Sequence, residues 1–269
     1  MKTFIPTPGS STLELGFFTI HFYALCILLG IVIAIWITKK RYVELGGDSS
    51  EISDLALFVI PAGIIGGRIY HVITSPQKYF GEGGKPIEVI EIWRGGLGIW
   101  GAISLGAIAA YFYFMKVKTS LSFANLADAI APGLLIAQGV GRFGNWFNGE
   151  LFGKPTKVFW ALEIPSENRP MGFENFQTFH PTFLYEAIWC FAVALLIMRL
   201  AFFKRLAGSG AVFIFYVAAY SLGRLFIEAI RIDEANLILG LRLNIWVSLF
   251  AFLGGGALFL RKTVGNPDK

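Results

Sequence analysis

The chain has 269 residues, of which 55% are hydrophobic and 15% are charged, and its net charge is +5 at pH 7. Its mean hydropathy of +0.62 is that of a chain solvated by lipid, which excludes a soluble globular or a disordered protein. The cations are spread over the ends of apolar runs and form no stripe with aromatic residues. The sequence therefore indicates a membrane protein with no nucleic-acid partner.

Seven apolar runs of about 20 residues follow one another along the chain, and each is long enough to cross a bilayer core. They lie near residues 17–37, 53–75, 95–115, 123–140, 183–199, 208–230 and 244–260. We predict an all-α integral membrane protein with about seven transmembrane helices, built as one polytopic membrane domain over residues 1–269. The polar stretch at about 142–181, broken by proline and glycine, is predicted to form a small extracytoplasmic cap within it.

Basic residues follow the first, third, fifth and seventh runs, so their clusters share one side of the membrane. They are Lys39, Lys40, Arg41, Lys116, Lys118, Arg199, Lys204, Arg205, Arg261 and Lys262. The positive-inside rule makes that side cytoplasmic, with the N-terminus outside and the C-terminus cytoplasmic. The outer loops hold about as many lysines and arginines. The predicted orientation therefore rests on the positions of the basic clusters and not on the total number of cations on each side. Cys26 and Cys190 lie within apolar runs, which indicates packing residues and neither a disulfide nor a metal site.

Ionisable residues inside apolar runs are the candidates for function, because a charge in the bilayer core costs several kcal/mol. The sixth run contains YSLGRLFIEAIR, in which Tyr220, Arg224, Glu228 and Arg231 fall within an arc of about 80° on a helix. This face is predicted to point at protein or at a polar cavity. The alternative is that Arg224 and Glu228 form a pair that only satisfies itself.

Two further places carry ionisable or aromatic residues with an open interpretation. In GGRIYHV, Arg68 and His71 either serve the function or brace the fold, with Arg68 bonded to carbonyl groups or to Asp128. In TIHFYAL, His21 and Tyr23 either belong to the site or form part of an interfacial aromatic belt.

At the start of the fifth run, HPTFLYE places His180 and Pro181 before Glu186. A proline at a helix start is ordinary, whereas a buried glutamate is not.

The stretch GRFGNWFNGELFG, residues 141–153, places Arg142 at the outer end of the fourth helix. The glycines at 139, 141, 144, 149 and 153 are predicted to turn the backbone sharply there. Arg142, backbone amides and Asn145 would then form a pocket of donors. Because the planar guanidinium donates bidentately to phosphate, Arg142 and Arg224 together indicate an anionic phospholipid held by its phosphate.

This stretch resembles the signature of the prolipoprotein diacylglyceryl transferases, Gly-Arg-x-Gly-Asn-x-x-Asn-x-Glu-x-x-Gly. The segments HFY, GGRIY, WRGGLGIWGA, HPTFLYE and YSLGRLFIEAIR also match, in the family's order and over nearly the whole chain. The resemblance implies a seven-helix enzyme of the bacterial cytoplasmic (inner) membrane with its site toward the outside. Such an enzyme transfers the diacylglyceryl group of phosphatidylglycerol to the lipobox cysteine of preprolipoprotein signal peptides, within the lipid bilayer and with no cofactor or metal.

The resemblance also implies roles for individual residues. The predicted catalytic set is Arg142, Arg224, Glu228, Tyr23, Asn145 and Glu150. The predicted substrate-binding set is Arg142, Arg224, Asn145, Asn148, Gly153, Tyr220, Arg68 and His180. Where many members read His-Gly-Gly in the third helix, this chain has Trp100-Gly101-Ala102, so a histidine proposed as catalytic is absent.

The absent histidine leaves the proton acceptor for the cysteine thiol open. His180 and Glu150 are both predicted to lie on the outer side, where a cysteine would approach. The alternative that we favour is electrostatic: Arg142 and Arg224 lower the pKa of the substrate thiol, which is ordinarily about 8.5.

Two other kinds of protein would also keep arginines in membrane helices. A lipid or solute transporter is expected to show an inverted repeat, and none is evident in the sequence. An enzyme that moves the phosphoglycerol headgroup would use similar arginines with its own nucleophile or metal.

Overall fold

The structure is a computed structural model that describes residues 4–16, 18–92 and 95–264. Trp93 and Arg94, which begin the segment WRGGLGIWGA, lie outside the described residues. The chain divides into two compact units, the first made of Met1–Arg41 with Ala124–Lys269 and the second of Tyr42–Phe123. This division does not test the single membrane domain predicted over residues 1–269, which stays a prediction.

Within the described ranges, seven helices are long and apolar enough to cross a membrane, which confirms the predicted fold class. They are α1 (Phe22–Glu44), α2 (Ser49–Thr74), α4 (Ile99–Lys116), α5 (Phe123–Asn148), α6 (Thr182–Arg199), α8 (Ala211–Ile230) and α9 (Leu243–Val264). The short helices α3 (Gln77–Phe80) and α7 (Ala201–Leu206) lie between them.

Short strands join the helices to loops on the outer side of the predicted topology. They are β1 (Ile5–Pro6), β2 (Thr12–Leu15), β3 (Phe18–His21), β4 (Leu162–Glu163), β5 (Thr178–Phe179), β6 (Leu237–Ile238) and β7 (Leu241–Arg242). Strands β2 and β3 form one antiparallel hairpin, and β6 and β7 form another.

In the second unit, α2 and α4 pack through glycines. A Cβ atom at Gly66 would lie 2.3 Å from the carbonyl oxygen of Gly101, and one at Gly101 would lie 2.1 Å from the carbonyl oxygen of Gly66. The amide of Gly98, just before α4, donates to the carbonyl of Gly67 at 2.8 Å. Small residues let helix backbones approach this closely in a membrane, where helix association depends on packing.

In the first unit, α5, α6, α7 and α8 contribute to a buried apolar core. Its buried residues are Ala131, Leu135, Cys190, Val193, Ala194, Ile197, Phe203 and Val212. Asp128 on α5 ties this core to the start of α8, since its carboxylate accepts from the amides of Gly210 at 2.8 Å and Phe213 at 2.9 Å. These are amides that a helix start leaves without a partner within the helix.

The residues between α5 and α6 fold into a small layer, and their strands form a sheet of order β1-β4-β5 with β1 from the N-terminal segment. Strand β1 runs parallel to β4, and β5 runs antiparallel to it. A buried apolar cluster supports the sheet: Phe152, Leu162, Ile164, Phe179 and Phe183. The N-terminal segment is held here by the indole of Trp146, which donates to the carbonyl of Pro6 at 3.0 Å.

The end of α5 differs from the sequence expectation. The helix continues through Arg142 and Asn145 to Asn148, so the prediction of a sharp turn carried by glycines from residue 139 onward was wrong. The turn comes later, at Gly149, whose φ is +61°. Gly144 instead allows a close approach between helices, because a Cβ atom there would lie 2.5 Å from Cδ2 of Tyr23. The loop that carries the cap therefore starts at residue 149.

Candidate active site

The polar face predicted on α8 is confirmed by the contacts of its side chains. Arg224 pairs with Glu228 within the helix, and Arg231 donates to Glu228 from Nη1 at 3.2 Å. Tyr220 and Arg224 both donate to Glu186 on α6. The Tyr220 hydroxyl lies 2.9 Å from Oε1 of Glu186, and Arg224 Nη1 lies 2.8 Å from its Oε2. Arg224 therefore joins two carboxylates, and the pair with Glu228 is one part of a larger network.

Glu228 is the most deeply buried carboxylate of this network, with no exposed surface on its side chain. Besides Arg224 and Arg231, it accepts from Arg242 Nε at 2.7 Å and from Asn244 Nδ2 at 3.2 Å. Arg242 lies in β7 and Asn244 in the first turn of α9. The carboxylate thus holds the end of α8, the following hairpin and the start of α9 together.

Asp233, in the loop after α8, closes this side of the network. Its carboxylate accepts from Arg231 Nε at 2.7 Å and from Arg242 Nη2 at 2.9 Å. Burial raises the pKa of Asp233, but the hydrogen bond and charge of Arg231 and the charge of Arg242 lower it by more. The pKa of Asp233 therefore lies below its ordinary value. Asp233 is therefore ionised at neutral pH.

Glu186 connects the α8 face to the signature stretch. Its Oε1 lies 2.9 Å from Arg142 Nη2, and its Oε2 lies 2.8 Å from Arg224 Nη1. Arg142 and Arg224 come from different helices, α5 and α8, and their guanidinium groups meet on this one buried side chain. The two arginines predicted to hold a phosphate are thus brought together.

The rest of the signature stretch continues the network at the end of α5. Arg142 Nη1 donates to Asn145 Oδ1 at 3.3 Å, and Asn145 Nδ2 donates to Glu150 Oε1 at 2.9 Å. Asn148 donates to the same carboxylate oxygen at 3.0 Å. The pocket of backbone amides predicted around Arg142 is replaced by side-chain partners, because the backbone here is helical and its amides are used within the helix.

The network contains four guanidinium groups and four carboxylates. Three of the carboxylates pair directly with an arginine, whereas Glu150 is joined to Arg142 through Asn145. The cations are Arg142, Arg224, Arg231 and Arg242, and the anions are Glu150, Glu186, Glu228 and Asp233. Their formal charges are equal in number and opposite in sign, as is expected for ions removed from water. Removing one partner of such a pair costs about 3–5 kcal/mol, because the other is left uncompensated.

Tyr23 lies in the first turn of α1, close to the signature end of the network. Its ring covers Gly144, since a Cβ atom there would lie 2.5 Å from Cδ2 of Tyr23. The predicted role of Tyr23 in the site stays a prediction. His21, two residues before it, ends strand β3.

A small cavity opens beside these groups. Its lining includes Arg142, Asn145, Thr182, Glu186 and Arg231. The free volume of about 10 Å³ is about what one water molecule needs. A lipid headgroup that binds here must therefore displace side chains of the network.

Gly153 and His180 support the network from the cap. The Gly153 amide donates to the carbonyl of His180 at 2.9 Å, and the Lys154 amide donates to the carbonyl of Ile230 at the end of α8 at 2.8 Å. A Cβ atom at Gly153 would lie 3.0 Å from the Cβ of His180 and 3.1 Å from the carbonyl oxygen of Ile230, so a larger residue would push the cap away from α8. The predicted contact of both residues with substrate stays a prediction.

His180 is held by aromatic neighbours. Its Nδ1 lies 3.0 Å from the Tyr185 hydroxyl, which accepts from the indole of Trp160 at 2.9 Å. Burial lowers the pKa of His180. Its imidazole is therefore neutral at physiological pH.

Arg68 belongs to the second unit and braces its backbone. Its Nε donates to the carbonyl of Val89 at 2.7 Å, and its Nη1 donates to the carbonyl of Gly95 at 2.7 Å. Its Nη2 donates to the carbonyl of Glu88. Of the two bracing partners considered above, the carbonyls are confirmed, whereas Asp128 is engaged by amides at the start of α8. Trp100 also lies in the second unit, in the first turn of α4, and is half exposed.

Across residues 4–16, 18–92 and 95–264, the His, Cys, Asp and Glu side chains form no group of three that could hold a metal ion.

Comparison with known proteins gives a match along almost the whole chain. The family model described as "Prolipoprotein diacylglyceryl transferase" matches residues 10–261. The chain belongs to the prolipoprotein diacylglyceryl transferase family. Among its relatives is the phosphatidylglycerol–prolipoprotein diacylglyceryl transferase 2 of Streptomyces coelicolor, 48% identical over 98% of this chain and 82% of the relative. Enzymes named phosphatidylglycerol–prolipoprotein diacylglyceryl transferase from Paenarthrobacter aurescens and Bifidobacterium adolescentis are 48% and 46% identical. Each alignment covers 96% of this chain, with 83% and 79% of the respective relative.

Sequence reasoning left several residues of this transferase's network out of the predicted sets. Glu186 was noted as a buried glutamate but given no role, although it joins Arg142 to Arg224. Asp233, Arg242 and Asn244 were not singled out. They lie beyond the apolar run of α8, where charged residues are ordinary, and only the path of the hairpin brings them back to Glu228.

Proposed function

We propose that this chain transfers the diacylglyceryl group of phosphatidylglycerol to the lipobox cysteine of a preprolipoprotein. The product is a thioether, and glycerol phosphate is released. The observation that carries the proposal is the convergence of Arg142 and Arg224 on one buried point, at 2.9 and 2.8 Å from Glu186. Two planar guanidinium groups aimed at one point suit the phosphate of an anionic lipid.

The reaction is a displacement at the glycerol carbon that bears the phosphate. The cysteine sulfur forms a bond to this carbon, and the carbon–oxygen bond to phosphate breaks with its electron pair staying on the phosphate. The thiol gives up one proton, most of which passes to water at neutral pH, because the second pKa of the released phosphate monoester is about 6. Negative charge therefore gathers on the phosphate as the bond breaks.

Arg142 and Arg224 are assigned the phosphate, where their charges stabilise the leaving group in the transition state. The same positive charges favour the thiolate form of the incoming cysteine, which is the nucleophile. The tryptophan at position 100 offers an N–H donor and no base, so we assign thiol activation to this electrostatic effect.

Three further predicted residues, Glu228, Tyr220 and Asn145, are assigned to positioning. Glu228 orients Arg224, to which it is paired, and the Tyr220 hydroxyl holds the carboxylate between the two arginines. Asn145 links Arg142 to Glu150 and so fixes the direction of the Arg142 guanidinium.

We also propose that the network faces the outside of the bacterial cytoplasmic membrane, with the N-terminus outside and the C-terminus cytoplasmic. In the first unit, the network lies at the end of α5, the start of α6, the end of α8 and the start of α9. Basic residues stand at the opposite ends of α6 and α9: Arg199, Arg261 and Lys262. The positive-inside rule makes those ends cytoplasmic.

The test is to incubate the purified protein with phosphatidylglycerol labelled in its acyl chains and with a lipobox peptide. Transfer of the label to the peptide, which depends on its cysteine and releases glycerol phosphate, is the expected result. A peptide with serine in place of that cysteine is the matched control. Movement of lipid between leaflets without product would indicate a transporter, and transfer of the phosphoglycerol group would indicate a headgroup enzyme. Either outcome would overturn the proposal.

A further inference from the structure

Glu186 holds both arginines that are proposed to bind the substrate phosphate. Its two carboxylate oxygens lie 2.9 Å from Arg142 Nη2 and 2.8 Å from Arg224 Nη1, and its side chain is only 4% exposed. The Tyr220 hydroxyl adds a third donor at 2.9 Å. These are the donors that would bind two oxygens of a phosphate. The carboxylate of Glu186 therefore occupies the place that a phosphate would take.

The charges of the network show why the carboxylate and a phosphate compete. Its four guanidinium groups are already balanced by four carboxylates, including Glu186. A phosphodiester that joined them would leave one uncompensated negative charge in a buried site, which is unfavourable. One anion therefore has to leave the two arginines when another arrives.

We propose that Glu186 is an internal competitor of the phosphate, which substrate displaces on binding and which returns to expel glycerol phosphate. This inference rests on the proposed function. The small cavity beside Glu186 has Arg231 and Thr182 on its wall, and these groups receive the displaced carboxylate. Glu186 is thus a positioning residue that sets how tightly the arginines hold any phosphate.

Release of product is the step that needs such a competitor. The phosphodiester of phosphatidylglycerol carries one negative charge, whereas a phosphate monoester carries about −1.5 to −2 at pH 7. Two arginines without a competing anion would therefore hold the product more tightly than the substrate. Because Glu186 is part of the protein, its carboxylate competes with the product for the two arginines at every turnover and offsets this preference.

The variant that tests the inference is Glu186→Gln, because glutamine keeps the shape and an oxygen for Tyr220 but removes the charge. Asp233→Asn is the matched control, since it also removes one carboxylate from the network and Asp233 pairs with Arg231 and Arg242. The measurement is equilibrium dialysis of labelled inorganic phosphate and of glycerol phosphate against the purified protein. We expect Glu186→Gln to bind both at least about tenfold more tightly, the factor for one charged hydrogen bond, and Asp233→Asn to change by less than about threefold.

Activity gives a second reading of the same variants. In Glu186→Gln, the KM for phosphatidylglycerol should fall, and glycerol phosphate should inhibit at a correspondingly lower concentration. Unchanged or weaker phosphate binding by this variant would overturn the inference. So would equal tightening in Asp233→Asn, which would indicate an effect of net charge alone.

Glu186→Asp covers the case in which the glutamine variant does not reach the membrane. Aspartate is one methylene shorter, so it cannot contact both arginines at once, and phosphate binding should lie between that of wild type and the tightening expected for glutamine. Binding no tighter than wild type would contradict the inference. Because dialysis needs no turnover, it decides the role of Glu186 even if the wild-type protein lipidates no peptide, a result that would instead reject the proposed function.

Discussion

Arg242 in β7 lies with its Nε 2.7 Å from Oε2 of Glu228, a carboxylate 14 positions earlier in the chain. This pair fastens the hairpin between α8 and α9 to the buried end of α8. Arg242 also donates from Nη1 to the carbonyl of Asp233 at 2.7 Å. The hairpin therefore depends on this side chain for its position.

Replacement of Arg242 by glutamine should destabilise the protein, because Glu228 loses a donor in a place that water does not reach. The expected cost is about 3–5 kcal/mol, and at about 2–4 °C per kcal/mol it should lower the Tm by roughly 10 °C. Thermal unfolding in detergent, followed by intrinsic fluorescence, measures the change. Arg261→Gln, at the exposed end of α9, is the control and should leave the Tm almost unchanged. A small effect in Arg242→Gln would mean that the hairpin holds its place without this ion pair.

Arg142→Lys should lose most activity while the protein still inserts into the membrane. Lysine keeps the charge but cannot contact Asn145 and Glu186 at once, as the two ends of the guanidinium do. We expect kcat/KM to fall by about 10²-fold or more. The peptide lipidation rate at several lipid concentrations, compared with the amount of protein in the membrane, tests this. A rate near wild type would make Arg142 a positioning charge rather than a phosphate ligand.

His180→Gln separates two possible roles of this residue. Removal of a general base costs about 10²-fold or more, whereas we expect His180→Gln to stay within about tenfold of wild type because the arginines activate the thiol. A loss of about 10³-fold with an altered pH profile and normal membrane levels would make His180 the base.

The same variant should change how stability depends on pH. Burial lowers the pKa of His180 below its ordinary 6.5, so the folded state binds the proton less readily than the unfolded state does. The wild type should then lose stability as the pH falls from about 6.5 through the lowered pKa, and His180→Gln should lose less. Tm values at several pH values between about 5 and 7.5 measure the difference. Parallel curves for the two proteins would contradict a half-buried, neutral imidazole.

Gly144→Ala should disturb the site without removing any polar group. Its Cβ atom would lie 2.5 Å from Cδ2 of Tyr23, and the ring or the start of α1 has to move. Because displacements of about 1 Å near reacting groups can cost 10²-fold, we expect a loss of at least about tenfold in kcat/KM. Gly141→Ala is the matched control, since its Cβ atom would meet only Ile27 Cδ1 at 3.4 Å. Equal rates for the two variants would remove Tyr23 from the site.

The orientation can be tested with single cysteines at Ser166 and Ser49, both exposed, in a variant that lacks Cys26 and Cys190. An impermeant thiol reagent added to intact cells should label position 166, in the cap, and leave position 49 unlabelled. Labelling after lysis controls for the reactivity of each cysteine. Labelling at 49 in intact cells would reverse the proposed orientation.

The sequence predicted the α8 part of the site well, because one helix has a fixed geometry. A period of 3.6 residues places Tyr220, Arg224, Glu228 and Arg231 on one face, and their contacts confirm it. The partners of that face could not be predicted. Glu186 comes from another helix and Arg242 from beyond a turn, so their distances depend on packing and on the path of the loop.

The end of α5 shows the limit of apolar runs as a guide to helix length. The run stops near residue 140, and a sequence rich in glycine and polar residues indicated a turn. The helix continues because Arg142 and Asn145 find partners beside it, in Glu186 and Glu150. An apolar run shows which part of a helix is solvated by lipid. Beyond that run, α5 continues where its polar side chains find hydrogen-bond and charge partners within the protein.

The parallel pairing of β1 with β4 has a consequence for biosynthesis. Thr7 in the N-terminal segment donates to the carbonyl of Glu163, 156 positions later. A ribosome adds about 5–20 residues per second, so roughly 8–30 s separate the two ends of this contact. During that interval α1, α2, α4 and α5 are synthesised, and β1 has no β4 with which to pair. The N-terminal segment is therefore synthesised first but reaches its final position late. Assembly of the cap has to follow insertion of these helices.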